Sequence, residues 1–159
     1  MKGVKKQSGF TLIEILVVIG LIAILAAIVL IAINPARQFA QGRDSQRISN
    51  LNSILNAVGQ RMADNKGTFD GLNAANSIVC PAIPTTSTST IVTTTPAAGE
   101  INLSCLVPTY LPSMPVDPSA GSGTNTKYSV RADTNGRIWV AATTTESSIP
   151  RNTDLYVVR

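Results

Sequence analysis

The chain has no histidine among its 159 residues. This absence excludes Ser-His-Asp and Cys-His catalytic arrangements and imidazole ligands for a metal. Glycine-rich phosphate-binding loops are also lacking. Apart from Glu14, the acidic residues are dispersed along the chain: Asp44, Asp64, Asp70, Glu100, Asp117, Asp133, Glu146 and Asp154. We therefore predict a protein that is not an enzyme, with no cofactor and no metal site.

Acidic side chains are fewer than basic ones, 9 against 13, but three of the lysines lie within residues 1–9. Without them, ten basic side chains face nine acidic ones, so the basic balance is weak evidence for a nucleic-acid partner. A local excess of basic side chains remains in residues 34–64, which hold four arginines: Arg37, Arg43, Arg47 and Arg61. We interpret these as solvated or paired between subunits, and keep DNA binding as the lesser alternative.

One long apolar run is present, from Phe10 to Ile33, with Thr11 and Glu14 as its only polar side chains. As a helix it would be about 36 Å long, enough to cross a hydrocarbon core of about 30 Å. The lysines ahead of it indicate the cytoplasmic side. Because a charge at membrane depth costs at least about 2.5–3.5 kcal/mol, Glu14 requires a partner.

The small residue suited to cleavage, Gly9, lies before the apolar run, and no Ala-x-Ala site follows it. Gly9-Phe10-Thr11-Leu12-Ile13-Glu14 behind a short basic leader resembles the prepilin signal of type IV pilins and type II secretion pseudopilins. The resemblance implies cleavage between Gly9 and Phe10 by a prepilin peptidase and N-methylation of Phe10. It also implies that Glu14 pairs with the N-terminus of a neighbouring subunit.

Physical chemistry gives Glu14 a role in assembly. After cleavage, Phe10 would carry an amino group that is cationic at neutral pH. Among apolar helices, that ammonium and the Glu14 carboxylate are each costly alone, and pairing them would set the register between helices. Whether the amine belongs to a neighbour or to the same subunit stays open. An uncleaved membrane anchor would explain the lysines and the length, but not Glu14.

Beyond the run, apolar residues at spacings of three and four predict a helical face that packs on a soluble head: Ile48, Leu51, Ile54, Leu55, Val58 and Met62. Pro35 and Gly42 disfavour regular helix, so we expect a bend or short non-helical break within residues 30–43. The helix is predicted to end near Asp64, with Gly67 as its terminator.

The head opens with polar and low-complexity sequence. The Ser/Thr-rich stretch Thr85–Pro96 predicts an exposed loop, or a loop with one short strand. Cys80 and Cys105 bracket it, and in a region exported to an oxidising side we predict that they form a disulfide. The alternative is two unpaired buried thiols.

A proline-rich segment, Val107–Pro118, is expected to run extended with Leu111 and Met114 turned inward. It resembles the Asp-Pro passage of major pseudopilins, where nearby oxygens can hold calcium. Only Asp117 matches that pattern, so we assign no calcium site.

Three strands are predicted near the end of the chain, over 127–132, 136–141 and 154–158, with an Asn135-Gly136 turn between the first two. They would form a small antiparallel sheet against the helical face. Trp139 is interpreted as a core or half-core aromatic, with contact to a partner as the alternative.

The predicted fold class is α+β: a long N-terminal helix whose second half packs on a small antiparallel β-sheet head, as in pilins. The predicted segments are a leader over 1–9, a transmembrane assembly helix over 10–33, its continuation over 34–64 and the head over 65–159.

The predicted function is that of a structural subunit of a type IV pilus or pseudopilus. Its partners would be its own copies and other pilins, the peptidase, an inner-membrane assembly platform and lipid. It would cross the inner membrane once with the head outside, then join an extracellular filament or periplasmic pseudopilus. The alternative is a membrane-anchored binding module that does not polymerise.

Overall fold

The computed structural model describes residues 9–147, 149 and 155–159. The chain has two compact units, one ending at Gln38 and one beginning at Phe39. The predicted leader lies outside the described residues except for Gly9. The layout is α+β, as the sequence predicts, with two long helices followed by short strands.

Helix α1 spans Leu12–Ile33 and α2 spans Pro35–Asp64. Between them Asn34 adopts a left-handed backbone conformation, with φ 43° and ψ 80°. Its side-chain oxygen accepts a hydrogen bond from the Arg37 amide at 3.3 Å, as a helix N-cap does. The predicted break is confirmed, but Pro35 does not interrupt a helix: it occupies the first position of a new one, where its missing N–H costs nothing.

Helix α2 ends at the predicted residue. The Gly67 amide donates to the Met62 carbonyl at 2.7 Å, and Lys66 and Gly67 both have positive φ angles, of 56° and 93°. This six-residue closure satisfies a carbonyl that the helix end leaves free. Gly67, the predicted terminator, therefore forms this turn together with Lys66.

Within the described residues seven strands follow: β1 (Gly71–Asn73), β2 (Ile78–Cys80), β3 (Ser89–Val92), β4 (Glu100–Asn102), β5 (Asn125–Ala132), β6 (Ile138–Ala142) and β7 (Tyr156–Val158). β1 and β2 form an antiparallel hairpin, and the others form a sheet in the order β4-β3-β5-β6-β7. Neighbours in this sheet are antiparallel except β3 and β4, which are parallel. The predicted antiparallel sheet thus gains one parallel pair.

The predicted strands near the end of the chain correspond to β5, β6 and β7. β6 begins two residues later than predicted because Gly136, with φ 79°, belongs to the turn. Asp154, the predicted start of the final strand, lies outside the described residues. The Ser/Thr-rich stretch contains β3, so it takes the second of its two predicted forms, a loop with one short strand. β3 is an interior strand, and its residues Ile91 and Val92 are buried.

The core lies between one face of α2 and the inner face of the sheet. Leu51, Ile54 and Val58 are fully buried there, opposite Tyr128 and Val130. Ile48 departs from the predicted apolar face, since it is 42% exposed. Leu111 is buried and Met114 packs against the core, as expected for the proline-rich segment.

Candidate functional site

The start of α1 is a reciprocal hydrogen-bonded cap. The Glu14 amide donates to the Thr11 hydroxyl oxygen at 3.3 Å, and the Thr11 amide donates to the Glu14 carboxylate at 3.4 Å. Thr11 has the extended backbone of a helix N-cap, with φ −82° and ψ 151°. Each side chain satisfies an amide that the first helical turn leaves free. The cap holds the only carboxylate of the apolar run at the positive end of the helix dipole.

From the sequence we assign Glu14 to assembly, but Thr11 is not among the predicted functional residues. The signal was present, because a Thr followed three residues later by Glu ahead of an apolar run is the signature of a capping box. Thr11 is the second residue after the predicted cleavage point, so the cap places the carboxylate close to the residue that would carry the new terminus. The cap exists within one chain and requires no second subunit.

The remainder of α1 is apolar around its whole circumference. None of its residues is buried, and Phe10 ahead of it is 81% exposed. Among the described residues, α1 is the one helix long and apolar enough to cross a membrane. A surface of this size and composition requires lipid or other apolar helices around it.

Residues 4–30 match the family model described as the prokaryotic N-terminal methylation motif. The chain therefore carries the prepilin-type cleavage and methylation signal of type IV pilins and pseudopilins. The motif indicates a structural protein, processing by a prepilin peptidase and assembly into pilus-like filaments. No curated protein and no solved structure matches the chain. The unit beginning at Phe39 lies outside the matched region.

In that second unit, Arg47 is buried in a network of carboxylates. Its Nε donates to Asp117 Oδ2 at 2.6 Å, and its Nη1 donates at 2.8 Å to both Asp44 Oδ1 and Glu146 Oε1. Its Nη2 donates to Asp117 Oδ1 at 3.2 Å and to the Ser119 hydroxyl at 2.7 Å. All five guanidinium N–H groups therefore donate a hydrogen bond, and the side chain is 1% exposed.

The interpretation of the four arginines as solvated or paired between subunits is wrong for Arg47 and Arg61. Arg61 is buried and its Nη2 donates to the carbonyls of Gly71 and Leu72 at 3.1 and 3.2 Å. Arg43 forms a two-pronged pair with Glu146, at 2.7 and 2.8 Å. Helical spacing is compatible with the Asp44–Arg47 pair, three residues apart, but it could not reveal the pairs with Asp117 and Glu146, which come from distant parts of the chain.

Asp117 is the acceptor at the centre of the network. It also receives hydrogen bonds from the Ser119 amide, the Ala120 amide and the Thr144 hydroxyl, at 2.9, 3.0 and 3.0 Å. Burial alone would raise the pKa of Asp117, but the bonds from Arg47, followed by those from the turn, hold that pKa well below its usual range.

Glu146 is ionised for a related reason. Hydrogen bonds from Arg43, and secondarily from Arg47, lower the pKa of Glu146 from 4.5 to about 2. The network is therefore charged at neutral pH, and it joins α2 to the segments around residues 117 and 146. In the part of the chain that the structure describes, no cluster of three or more His, Cys, Asp or Glu residues is placed to hold a metal.

The structure joins Cys80, in β2, to Cys105 in a short 3₁₀ helix over Ser104–Leu106. Both residues are 1% exposed. The side-chain amides of Asn73 and Asn76 donate to the Cys105 carbonyl at 2.7 and 2.9 Å. Covalent and hydrogen bonds together fasten the β1–β2 hairpin to the head.

Trp139 is half-buried on the outer side of the sheet. The Arg131 guanidinium lies 4.7 Å from the centre of its ring, and the Tyr156 ring centre lies 4.9 Å away. These contacts within the subunit satisfy the aromatic surface without a partner.

Proposed function

We propose that the chain is a structural subunit of a type IV pilus or related pseudopilus, assembled through α1 after cleavage between Gly9 and Phe10. The observation that carries the proposal is the build of α1. It is fully apolar and has no buried side chain, and its one carboxylate is held at its first turn. The cap within one chain holds the Glu14 carboxylate in place, and assembly after cleavage would give that carboxylate a cationic partner.

Cleavage creates the cation that Glu14 lacks. Removing residues 1–9 leaves an α-amino group on Phe10, which N-methylation keeps basic. In a bundle of α1 helices the apolar surfaces cover one another, and ammonium and carboxylate are both withdrawn from water. Their pairing stabilises one longitudinal register, since a displaced helix leaves two uncompensated charges.

The partners follow from this pathway. The precursor meets lipid and a prepilin peptidase at the inner membrane, crosses that membrane once with its head outside, and passes to an assembly platform. It ends among copies of itself and other pilins, in an extracellular filament or a periplasmic pseudopilus. No catalytic role is assigned to the chain.

The first test is intact-mass analysis of protein from a host that supplies the peptidase. We expect loss of residues 1–9 and gain of one methyl group on Phe10. A mature species that retains the lysine-rich leader would contradict the proposal.

The second test separates assembly from membrane anchoring. Glu14→Ala makes α1 more apolar, so the variant should remain in the membrane fraction while filament yield falls sharply. Leu16→Ala is a matched control, because it shortens an exposed side chain of the same helix without removing a charge. Normal filaments from Glu14→Ala would show that register is set elsewhere, and complete absence of filaments from the parent chain would favour the non-polymerising binding module.

A further inference from the structure

The β1–β2 hairpin carries an apolar projection on the head. Leu72 and Val79 are register partners on adjacent strands, so their side chains stand on the same face. They are 59% and 65% exposed. The pair is held rigidly, because the adjoining Cys80 is disulfide-bonded and Arg61 binds the Leu72 carbonyl. We call Leu72 and Val79 the hairpin knob.

A groove of complementary character lies between α2 and the β5–β6 turn. Its volume is about 250 Å³, and its walls include Leu55, Met62 and Ile138. Gly59 lies in its wall, and a Cβ built on Gly59 would meet nothing within 4 Å. The groove is therefore open to an inserted aliphatic side chain.

The hairpin knob and the groove lie on different sides of α2. The hairpin is bonded to Arg61, whereas Leu55, Gly59 and Met62 lie roughly 100–160° around the helix from that residue. A subunit therefore does not fill its own groove with its own knob in this structure. When such a projection fits a groove on the next copy, the contact is head-to-tail and stays open to further copies, as a filament requires.

Charge complementarity favours a second copy as the occupant. Asp70 is exposed beside the knob and has no ion-pair partner within the described ranges. Arg159 is exposed at the groove, where its guanidinium bonds only the amide oxygen of Asn56 among those same residues, at 2.7 Å. A knob seated in the groove of another copy can bring these opposite charges together at the rim.

The size of the contact also points to copies that are already associated. A stable free dimer buries roughly 1,200–2,000 Å² of surface, far more than two aliphatic side chains can supply. Copies that are already held together through α1 need no such area. The contact between their heads forms within one assembly, where the effective concentration of the partner is high.

We infer that the hairpin knob of one subunit docks in the α2 groove of a neighbouring subunit within the filament. The inference rests on the proposed function, since α1 association supplies the neighbour. The docking sets the spacing and rotation between successive heads.

The test is site-directed disulfide formation in filaments of the full chain. One chain carries Val79→Cys and a second, co-expressed chain carries Gly59→Cys, so that any new link joins different subunits. The control replaces Gly59→Cys by Gln60→Cys, an exposed residue on the other side of α2. We expect covalent dimers on non-reducing gels for the first combination and not for the control.

A charge exchange provides the second measurement. Asp70→Arg alone should lower filament yield, and adding Arg159→Asp should restore it. Filaments that form with neither the specific cross-link nor the rescue would overturn the inference and leave the proposed function intact. A parent chain that forms no Glu14-dependent filaments would overturn both.

Discussion

Removing the guanidinium at the centre of the buried network is the sharpest test of how the head is held together. Arg47→Met keeps most of the side-chain volume and deletes five hydrogen bonds. It leaves the Asp117 carboxylate, 0% exposed, without its counter-charge, close to Asp44 and Glu146. The structure therefore predicts severe destabilisation from loss of charge compensation and not from a cavity.

The magnitude follows from measurements on other buried ion pairs. Removing one partner of such a pair typically costs about 3–5 kcal/mol. At roughly 3–5 °C per kcal/mol for a domain of this size, the melting temperature should fall by about 10–20 °C. Arg43→Met is the matched control: Arg43 is 37% exposed and, among the described residues, its side chain bonds Glu146, so its loss should lower the melting temperature far less than the loss of Arg47.

The assay is thermal unfolding of the mature chain in detergent, followed by near-ultraviolet circular dichroism, to which Trp139 and the buried Tyr128 contribute. Asp117→Asn introduced with Arg47→Met removes the uncompensated carboxylate. The double variant should therefore recover part of the stability that the single variant loses. An Arg47→Met protein within about 1 kcal/mol of the parent would refute the reasoning.

The pH dependence of folding stability should have opposite signs in the parent protein and in Arg47→Met. In the parent, Glu146 and Asp117 have lowered pKa values, so their stabilisation is complete above pH 4.5 and is lost as the pH falls towards 2. In Arg47→Met the buried Asp117 loses its cation, its pKa rises, and the folded state takes up a proton more readily than the unfolded chain. Mild acid should therefore stabilise the variant relative to neutral pH, while it leaves the parent unchanged.

Three further predictions concern a tight turn, the disulfide and the break between the two helices. Gly121→Ala should destabilise the head by more than about 1 kcal/mol in the same assay, because a Cβ there would lie 2.5 Å from a backbone nitrogen, whereas Gly123→Ala has open space and should be neutral. Cys80 and Cys105 should be recovered as a linked pair in non-reducing peptide mapping, and replacing both by serine should cost about 2–4 kcal/mol; free-thiol labelling of the native protein would contradict this. Asn34→Ala should speed amide exchange at the start of α2 more than Asn34→Gly, since alanine disfavours the left-handed backbone; equal exchange rates would show that the left-handed backbone is not what makes the two variants differ, because neither retains the side-chain cap.

Local chemistry explains which features could be predicted from the sequence. An uninterrupted apolar run must leave water whatever surrounds it, so α1 and its suitability for a membrane were predictable. The position of Gly9 and the spacing from Phe10 to Glu14 predicted the processing signal that the family model matches. The α2 face was also readable, because spacings of three and four reflect the geometry of a single helix.

β3 shows what composition leaves open, because a loop and a loop with one short strand were both predicted for this stretch. Its neighbours are serine and threonine, which are typical of loops, yet Ile91 and Val92 are enough to form an interior strand once β4 and β5 bond to both of its edges. Strand pairing joins residues far apart in the chain, so no local pattern contains it.

The arginines of α2 show most clearly the difference between what the sequence predicts and what only the fold decides. By sequence, Arg43 and Arg47 are equivalent charges one helical turn apart, and both suit a solvated surface. Only folding brings Asp117 and Glu146 together beside these arginines. There the Arg47 guanidinium is completely buried, whereas the Arg43 guanidinium stays partly exposed to solvent. The sequence by itself determined that this chain has an apolar helix of membrane-spanning length with one carboxylate at its start. The tertiary structure alone decided which charges are buried, because the cost of burying a charge depends on partners that only folding brings within hydrogen-bond distance.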